Sequence, residues 1–280
     1  MSEAKLSQGT IQYSESGEGA PIVFVHGLLV DGRLWRKVTP LLEDRFRCIV
    51  PDLPLGSHTT PMPPEADLSP PALARIVADF LQALELEDVT LVANDTGGAI
   101  SQITAAHHPE RIGRLVLTNC DAFENFLPPA FRPMQWAARV PGGLSAMMAG
   151  MRFAPMRRLP NAYGRLIKRD FDAAPTREWV DPFLTSKDVR RDVTKVLKGI
   201  DTKYTFEAAE KLRTFDRPAM LAWAVEDRFF KVSFAEKLAA TINGATLERI
   251  DDSYTFVSED QPERLAELIA RFAREPAPVA

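Results

Sequence analysis

Val89-Thr90-Leu91-Val92-Ala93-Asn94-Asp95-Thr96-Gly97-Gly98-Ala99-Ile100 is the stretch whose reading decides the fold. Its first five residues are β-branched or apolar, with Thr90 the only polar side chain, as in a strand buried on both faces. Past Gly98 the period turns helical, with Ile100, Ile103 and Thr104 on one face. Between the two lies a small-x-Asp-x-small-small turn: Ala93, Asp95, Gly97 and Gly98. A strand that reverses sharply into a helix strains the backbone of its central residue, and large neighbours would collide with it. Small residues two before and two after therefore mark a tight elbow. Asp95 stands at its tip, where the start of the helix favours negative charge on the residue or on a bound oxyanion. Asn, Asp and Gly also build ordinary turns, so the rest of the chain must discriminate.

Before the elbow, Gly9 to Ser16 alternates as a half-exposed antiparallel strand ended by Gly17-Glu18-Gly19. Pro21-Ile22-Val23-Phe24-Val25 is a fully apolar strand running into His26-Gly27, and a helix is expected from about Leu34 to Leu42. Cys48-Ile49-Val50 is the next buried strand and opens into Pro51-Asp52-Leu53-Pro54. Asp67-Leu68-Ser69-Pro70 starts a helix carrying Leu73, Ile76, Val77, Phe80 and Leu81 inward. After the elbow helix, Arg114 to Asn119 is strand-like. From Phe126 to Phe215 no strand-like run occurs; five of the eight methionines (Met134, Met147, Met148, Met151, Met156) gather there beside Trp136, Phe153 and Trp179. Soft methionines suit a lid over an apolar pocket, and equally the filling of an irregular core. Arg157-Arg158 and Lys168-Arg169 read as solvated faces. Strand and helix then alternate again: Pro218 to Ala224, a helix from Phe234 to Ile242, a strand from Ala245 to Ile250, and a last helix with Leu265, Leu268, Ile269 and Phe272 inward. Apolar strands alternating with helices predict an α/β protein with a mostly parallel, doubly wound sheet. The expected division is a core of residues 1–125 and 214–280 and an inserted helical cap of residues 126–213.

The totals narrow the function classes. The chain has 280 residues, 45% hydrophobic and 26% charged, the balance of a globular protein. A net charge of −4 without a basic stripe argues against a nucleic-acid partner. No apolar run approaches the roughly 20 residues of a membrane span, and Met1-Ser2-Glu3-Ala4-Lys5 opens no signal peptide, so a cytoplasmic location is expected. Cys48 and Cys120 both abut apolar runs and read as buried free thiols. The four histidines (His26, His58, His107, His108) have no metal-ligand spacing, and neither a metal nor a cofactor is expected. The expected partner is a small-molecule substrate or ligand.

These residues together resemble the α/β-hydrolase fold: His26-Gly27 after one strand, Pro51-Asp52-Leu53-Pro54 after the next, the elbow, Trp223-Ala224-Val225-Glu226-Asp227 after a late strand, and Asp260-Gln261-Pro262 before the last helix. They come in the family's order and cover nearly the whole chain. A nucleophile elbow carrying Asp is similar to the haloalkane dehalogenase and epoxide hydrolase branch, in which the carboxylate attacks carbon and forms an ester. The resemblance implies an oxyanion hole from the amides of Leu28 and Thr96, with His26 bracing the loop, and it matches Asp227 to the acid that orients a histidine. Asp121 lies near a second acid position. Trp136, Met147, Met151 and Phe229 are the expected substrate-binding residues.

The sequence departs from that branch in specific places. The family's catalytic histidine lies seven residues before the proline of the final helix; here that position is Thr255, within Ser253-Tyr254-Thr255-Phe256, and no histidine follows His108. The halide-binding positions hold Thr96 and Leu28, and of the lid tyrosines of epoxide hydrolases only Tyr163 and Tyr204 are candidates. Three readings follow. Asp95 is a nucleophile toward a carbon–halogen, epoxide or ester bond, with Asp227, Asp121 or a water held by Tyr254 and Thr255 as an atypical base. Alternatively, Asp95 is an acid or base in a non-hydrolytic lyase or isomerase. The third reading is a catalytically silent protein that binds a small apolar molecule.

Overall fold

A computed structural model describes residues 1–169 and 173–274. Eight strands form one sheet: β1 (Ser2–Leu6), β2 (Gly9–Ser16), β3 (Ala20–Val25), β4 (Phe46–Pro51), β5 (Val89–Asn94), β6 (Ile112–Cys120), β7 (Ala219–Ala224) and β8 (Thr246–Ile250). Their order is β1-β2-β4-β3-β5-β6-β7-β8, antiparallel from β1 to β4 and parallel from β4 onward. The elbow strand β5 lies between β3 and β6, with Leu91 in register with Val23 and Leu115.

Because side chains alternate across a strand, Val23, Leu91, Leu115 and Leu221 build the core on one face, while Phe24, Val92, Val116 and Ala222 build it on the other. Burying each such aliphatic chain contributes roughly 1.5–3 kcal/mol. This accounts for the uninterrupted apolar runs: the parallel strands are covered on both sides. On the first face lie α1 (Pro70–Ala83) and α2 (Asp95–His107). Helix α1 begins at the expected proline, although the Ser69 hydroxyl donates to Asp67 rather than capping the helix.

Between β6 and β7 the described residues form only helices and turns: α3 (Arg132–Ala137), α4 (Gly143–Met148), α5 (Ala154–Arg157), α6 (Ala173–Thr185), α7 (Lys187–Gly199) and α8 (Thr202–Lys211), with short 3-10 turns. The chain closes with α9 (Val232–Thr241), β8, the one-turn α10 (Val257–Asp260) and α11 (Pro262–Arg274), whose Leu265, Leu268 and Ile269 pack on the second face. Among the described residues no helix is long and apolar enough to cross a membrane. Cys48 and Cys120 are free and buried.

Three features differ from the sequence expectation. The helix expected over residues 34–42 is two 3-10 turns, Gly32–Trp35 and Thr39–Leu41. Pro40 lacks an amide proton and its ring crowds the carbonyl four residues earlier, which disfavours one continuous α-helix there. Strand β1 escaped notice because only Ala4 in it is buried. Arg157 is buried rather than solvated: its guanidinium donates to the Thr176 hydroxyl and to the carbonyls of Met151 and Arg152. Lys168 and Arg169 meet Glu226 and Asp252 at the surface.

Candidate active site

The turn from β5 into α2 is the strained corner that the small residues predict. Asn94 is extended (φ −135°), and Asp95 adopts a left-handed φ of +56°. That conformation costs a non-glycine residue roughly 1–2 kcal/mol, so it persists only because the surroundings fix it. Two glycines make room. A β-carbon on Gly97 would strike the carbonyl oxygen of His26, and one on Gly27 would strike the Asp95 carboxylate. The loop after β3 therefore lies directly against the side chain of Asp95.

That contact places two amides on one carboxylate oxygen. Asp95 Oδ1 accepts from Thr96 N at 2.6 Å and from Leu28 N at 3.3 Å. Burial pushes the Asp95 carboxyl above the ordinary carboxylate range, while these amides and the Thr96 side chain oppose the shift. His26 fixes the loop: its Nδ1 lies 2.9 Å from the Gly27 carbonyl, and its Nε2 accepts from Leu53 N at 2.9 Å. Burial lowers the His26 pKa to about 4, so the ring is neutral and has a lone pair for Leu53. Leu29, also left-handed at φ +56°, donates its amide to the Leu55 carbonyl and accepts from the Tyr163 hydroxyl at 2.6 Å.

Asp95 and Thr96 face a cavity of about 80 Å³, mostly apolar and walled by Leu28 and Leu29 from the core and by Leu127, Phe131, Met148 and Tyr163 from the inserted segment. The space accommodates several water-sized groups. A carboxylate at such an apolar surface is partly stripped of water, which strengthens it as a nucleophile or proton acceptor.

Asp227, in the loop after β7, is buried and saturated. It accepts from Phe229 N (2.7 Å), Phe230 N (3.2 Å), Asn119 Nδ2 (2.9 Å) and Thr255 Oγ1 (2.8 Å). Burial nevertheless raises its pKa to about 6, against the pull of those four bonds. Thr255 is fully buried, and its carbonyl accepts from Asn94 Nδ2 at 2.8 Å, so the loop before α10 is tied to the residue preceding Asp95. Asn94 and Asn119 thus knit the ends of β5, β6 and β7 together. Neither stood out in the sequence; the available signal was a polar residue closing, or nearly closing, an otherwise apolar strand.

Asp121, just past β6, is fully buried. Its Oδ1 accepts from Leu127 N at 2.9 Å, and its Oδ2 lies 3.1 Å from the Thr96 hydroxyl. Burial and the nearby Asp95 charge push its carboxyl well above the ordinary range.

Of the expected site residues, the structure brings together Asp95, Leu28, Thr96, His26 and Asp121, with Met151 in the cavity wall. Phe229 stacks on the lining residue Phe131 at 4.9 Å between ring centres. Asp227 and Thr255 meet each other but not the cavity. Tyr254 donates its amide to Asp260, and its ring lies under Lys168, away from the cavity. Trp136 is 64% exposed and Met147 45% exposed, and neither lines the cavity. The short helices α3 and α4 turn those side chains outward. Tyr163, Met134 and Met148 stand in the wall instead.

The family described as alpha/beta hydrolase fold matches residues 20–262. The cis-3-alkyl-4-alkyloxetan-2-one decarboxylase of Xanthomonas campestris is 30% identical over 281 aligned residues, covering 94% of this chain and 91% of that protein. Haloalkane dehalogenase 2 of Mycobacterium tuberculosis is 28% identical over 278 aligned residues, covering 95% and 92%. Among solved structures, an alpha/beta hydrolase fold protein from Burkholderia ambifaria superposes with a TM-score of 0.83 at 22% identity over 96% of this chain and 97% of that one, a likeness of fold.

Proposed function

Because the chain belongs to the alpha/beta hydrolase fold family, we propose that it is a hydrolase in which Asp95 attacks an electrophilic carbon of a small, largely apolar substrate. The bond broken is a carbon–halogen, epoxide or ester bond. One carboxylate oxygen forms a bond to that carbon, the leaving group departs with its electron pair, and Asp95 is left acylated or alkylated. Water then adds to the carbonyl carbon of Asp95 and the amides of Leu28 and Thr96 stabilise the oxyanion; the acyl–oxygen bond breaks, the product leaves with one former Asp95 oxygen and a proton from the water, and the carboxylate returns carrying the water oxygen. Residues 126–213 serve as the cap that closes over the substrate. The observation that carries this reading is the pair of amides on Asp95 Oδ1, which holds the carboxylate in one orientation at the cavity. Two of the relatives named above are enzymes by name, one of them a dehalogenase, in keeping with this chemistry. Incubation with chloroalkane, epoxide and activated-ester panels followed by intact-mass spectrometry tests it. An adduct mapping to residue 95 is the expected result; turnover with no adduct under any quench sinks the covalent route.

A second reading is favoured by the saturation of Asp227. With four hydrogen bonds already accepted and Thr255 where a base would stand, no histidine serves water at Asp95. A non-hydrolytic lyase or isomerase needs no such water. Asp95, its pKa raised by burial, would exchange a proton with the substrate instead. The Xanthomonas relative is named as a decarboxylase, which removes carbon dioxide without consuming water. Oxygen from labelled water separates the two: the covalent hydrolase places it in the Asp95 carboxylate in the first turnover and in product over later ones, and the lyase or isomerase places it in neither.

A further inference from the structure

Thr96 bonds two buried carboxyls, Asp95 through its amide and Asp121 through its hydroxyl. Its hydroxyl lies 3.1 Å from Asp121 Oδ2, its amide donates to Asp95 Oδ1 at 2.6 Å, and it lines the cavity. A hydroxyl has one proton to give and two lone pairs. An ionised Asp121 would be a second buried negative charge near that of Asp95. A single added proton resolves the arrangement: Asp121 donates to Thr96 Oγ1, and Thr96 donates onward to Asp95 or to whatever occupies the cavity.

We propose that Thr96 and Asp121 form a proton relay that replaces the absent histidine, with Asp121 holding the proton and Thr96 passing it to and from the substrate. The relay rests on Asp95 being the nucleophile. For a substrate whose leaving atom is oxygen, Asp95 bonds to carbon as the carbon–oxygen bond breaks. Thr96 gives its proton to the departing oxygen and takes the proton of Asp121. The product of this half is an ester on Asp95, a free hydroxyl on the substrate and an ionised Asp121. Esterification removes the Asp95 charge, so the Asp121 anion no longer faces a like charge. In the second half, water adds to the Asp95 carbonyl carbon and passes one proton through Thr96 to Asp121. Its second proton ends on the released alcohol, and Asp95 returns as the carboxylate. Asp121 acts only through Thr96; its second oxygen is tied to Leu127 N. A halide leaves without a proton, so the first half on a haloalkane has no use for the relay.

This difference in leaving groups gives the test. In single-turnover experiments the ratio of epoxide opening to chloroalkane displacement should fall about 10²-fold in Asp121→Asn, the scale of losing a general acid. Thr96→Val, which keeps both carboxyls and the amide, should lower it equally, and Thr96→Ser should restore it. Independently of any substrate, the infrared band of a protonated carboxyl should be present at neutral pH in the parent protein and missing in Asp121→Asn. An unchanged ratio in Asp121→Asn and Thr96→Val, or no such band in the parent, overturns the relay while leaving Asp95 adducts in place. A parent protein that forms no adduct at residue 95 overturns the nucleophile and the relay together, even with the band present.

Discussion

The Thr255 hydroxyl donates to Asp227 Oδ2 at 2.8 Å, so a threonine occupies the carboxylate that the resemblance matches to a histidine-orienting acid. The acid end of the site is thereby kept in structural order with no imidazole on it. Position 255 is consequently the most informative place to alter the chain.

Thr255→His is expected to accelerate release of an Asp95-bound intermediate by about 10²-fold or more, the scale of a restored general base. The larger ring enters a fully buried position, so a stability loss of about 1–3 kcal/mol accompanies it. Pre-formed adduct followed by mass spectrometry over time reads the release rate. If the adduct decays no faster in the variant while the protein stays folded, activation of water is not the missing step.

Asp95→Asn keeps the shape of the elbow but removes the nucleophile and the negative charge. Turnover should fall by at least about 10²–10⁴-fold, with no adduct at residue 95. Thermal unfolding should change little or rise, because a buried charge is replaced by a neutral amide. Retained turnover in this variant moves the chemistry elsewhere.

Asn119→Ala removes a donor to Asp227 and an acceptor for the Ala224 amide, leaving buried polar groups unmatched. A destabilisation of about 2–4 kcal/mol is expected from two lost buried bonds, measured by denaturant unfolding. A loss under 1 kcal/mol would mean that water enters and takes both places.

His26 makes stability acid-sensitive. Its pKa is about 4 when folded, below the 6.5 of an unburied ring, so between those values the unfolded chain binds more protons than the folded one. Stability from this group is therefore full above pH 6.5 and lost as pH falls toward 4, about 3 kcal/mol in all. Asp227, raised to about 6, works in the opposite sense, its contribution fading as pH rises from about 4 to 6. Unfolding free energies at pH 5 and pH 7 for the parent and for His26→Asn isolate the histidine. The variant should lose the part of the pH dependence that rises with pH, and an identical pH dependence refutes the assignment.

The sheet and the elbow were readable because their causes are local. Apolar runs between turn residues report strands covered on both faces, and Gly97 reports a neighbour too close for a side chain, which proves to be His26. Asp227 could be placed because it follows an apolar strand in the expected order. What escaped was set at a distance. Trp136 and Met147 were expected over the pocket because aromatic and sulfur-bearing residues cluster there, but a six-residue helix, under two turns long, is too short a stretch from which to read its facing side. Arg157 looked solvated beside Arg158, yet it serves carbonyls within its own fold. Asn94 and Asn119 acquire their meaning only from strands and loops up to 161 positions away.

Tyr163 reaches across from the helical segment to grip the carbonyl of Leu29, one residue beyond the amide that holds Asp95. On the proposed function, swinging that segment aside would break this bond and free a leucine held in an unfavourable turn, so the Leu28 amide would lose its support while the chamber stood open. A guest that let the walls meet again would restore it. Molecular size would then be gauged by the enclosure itself, and a guest that propped the walls apart would meet a carboxylate out of alignment.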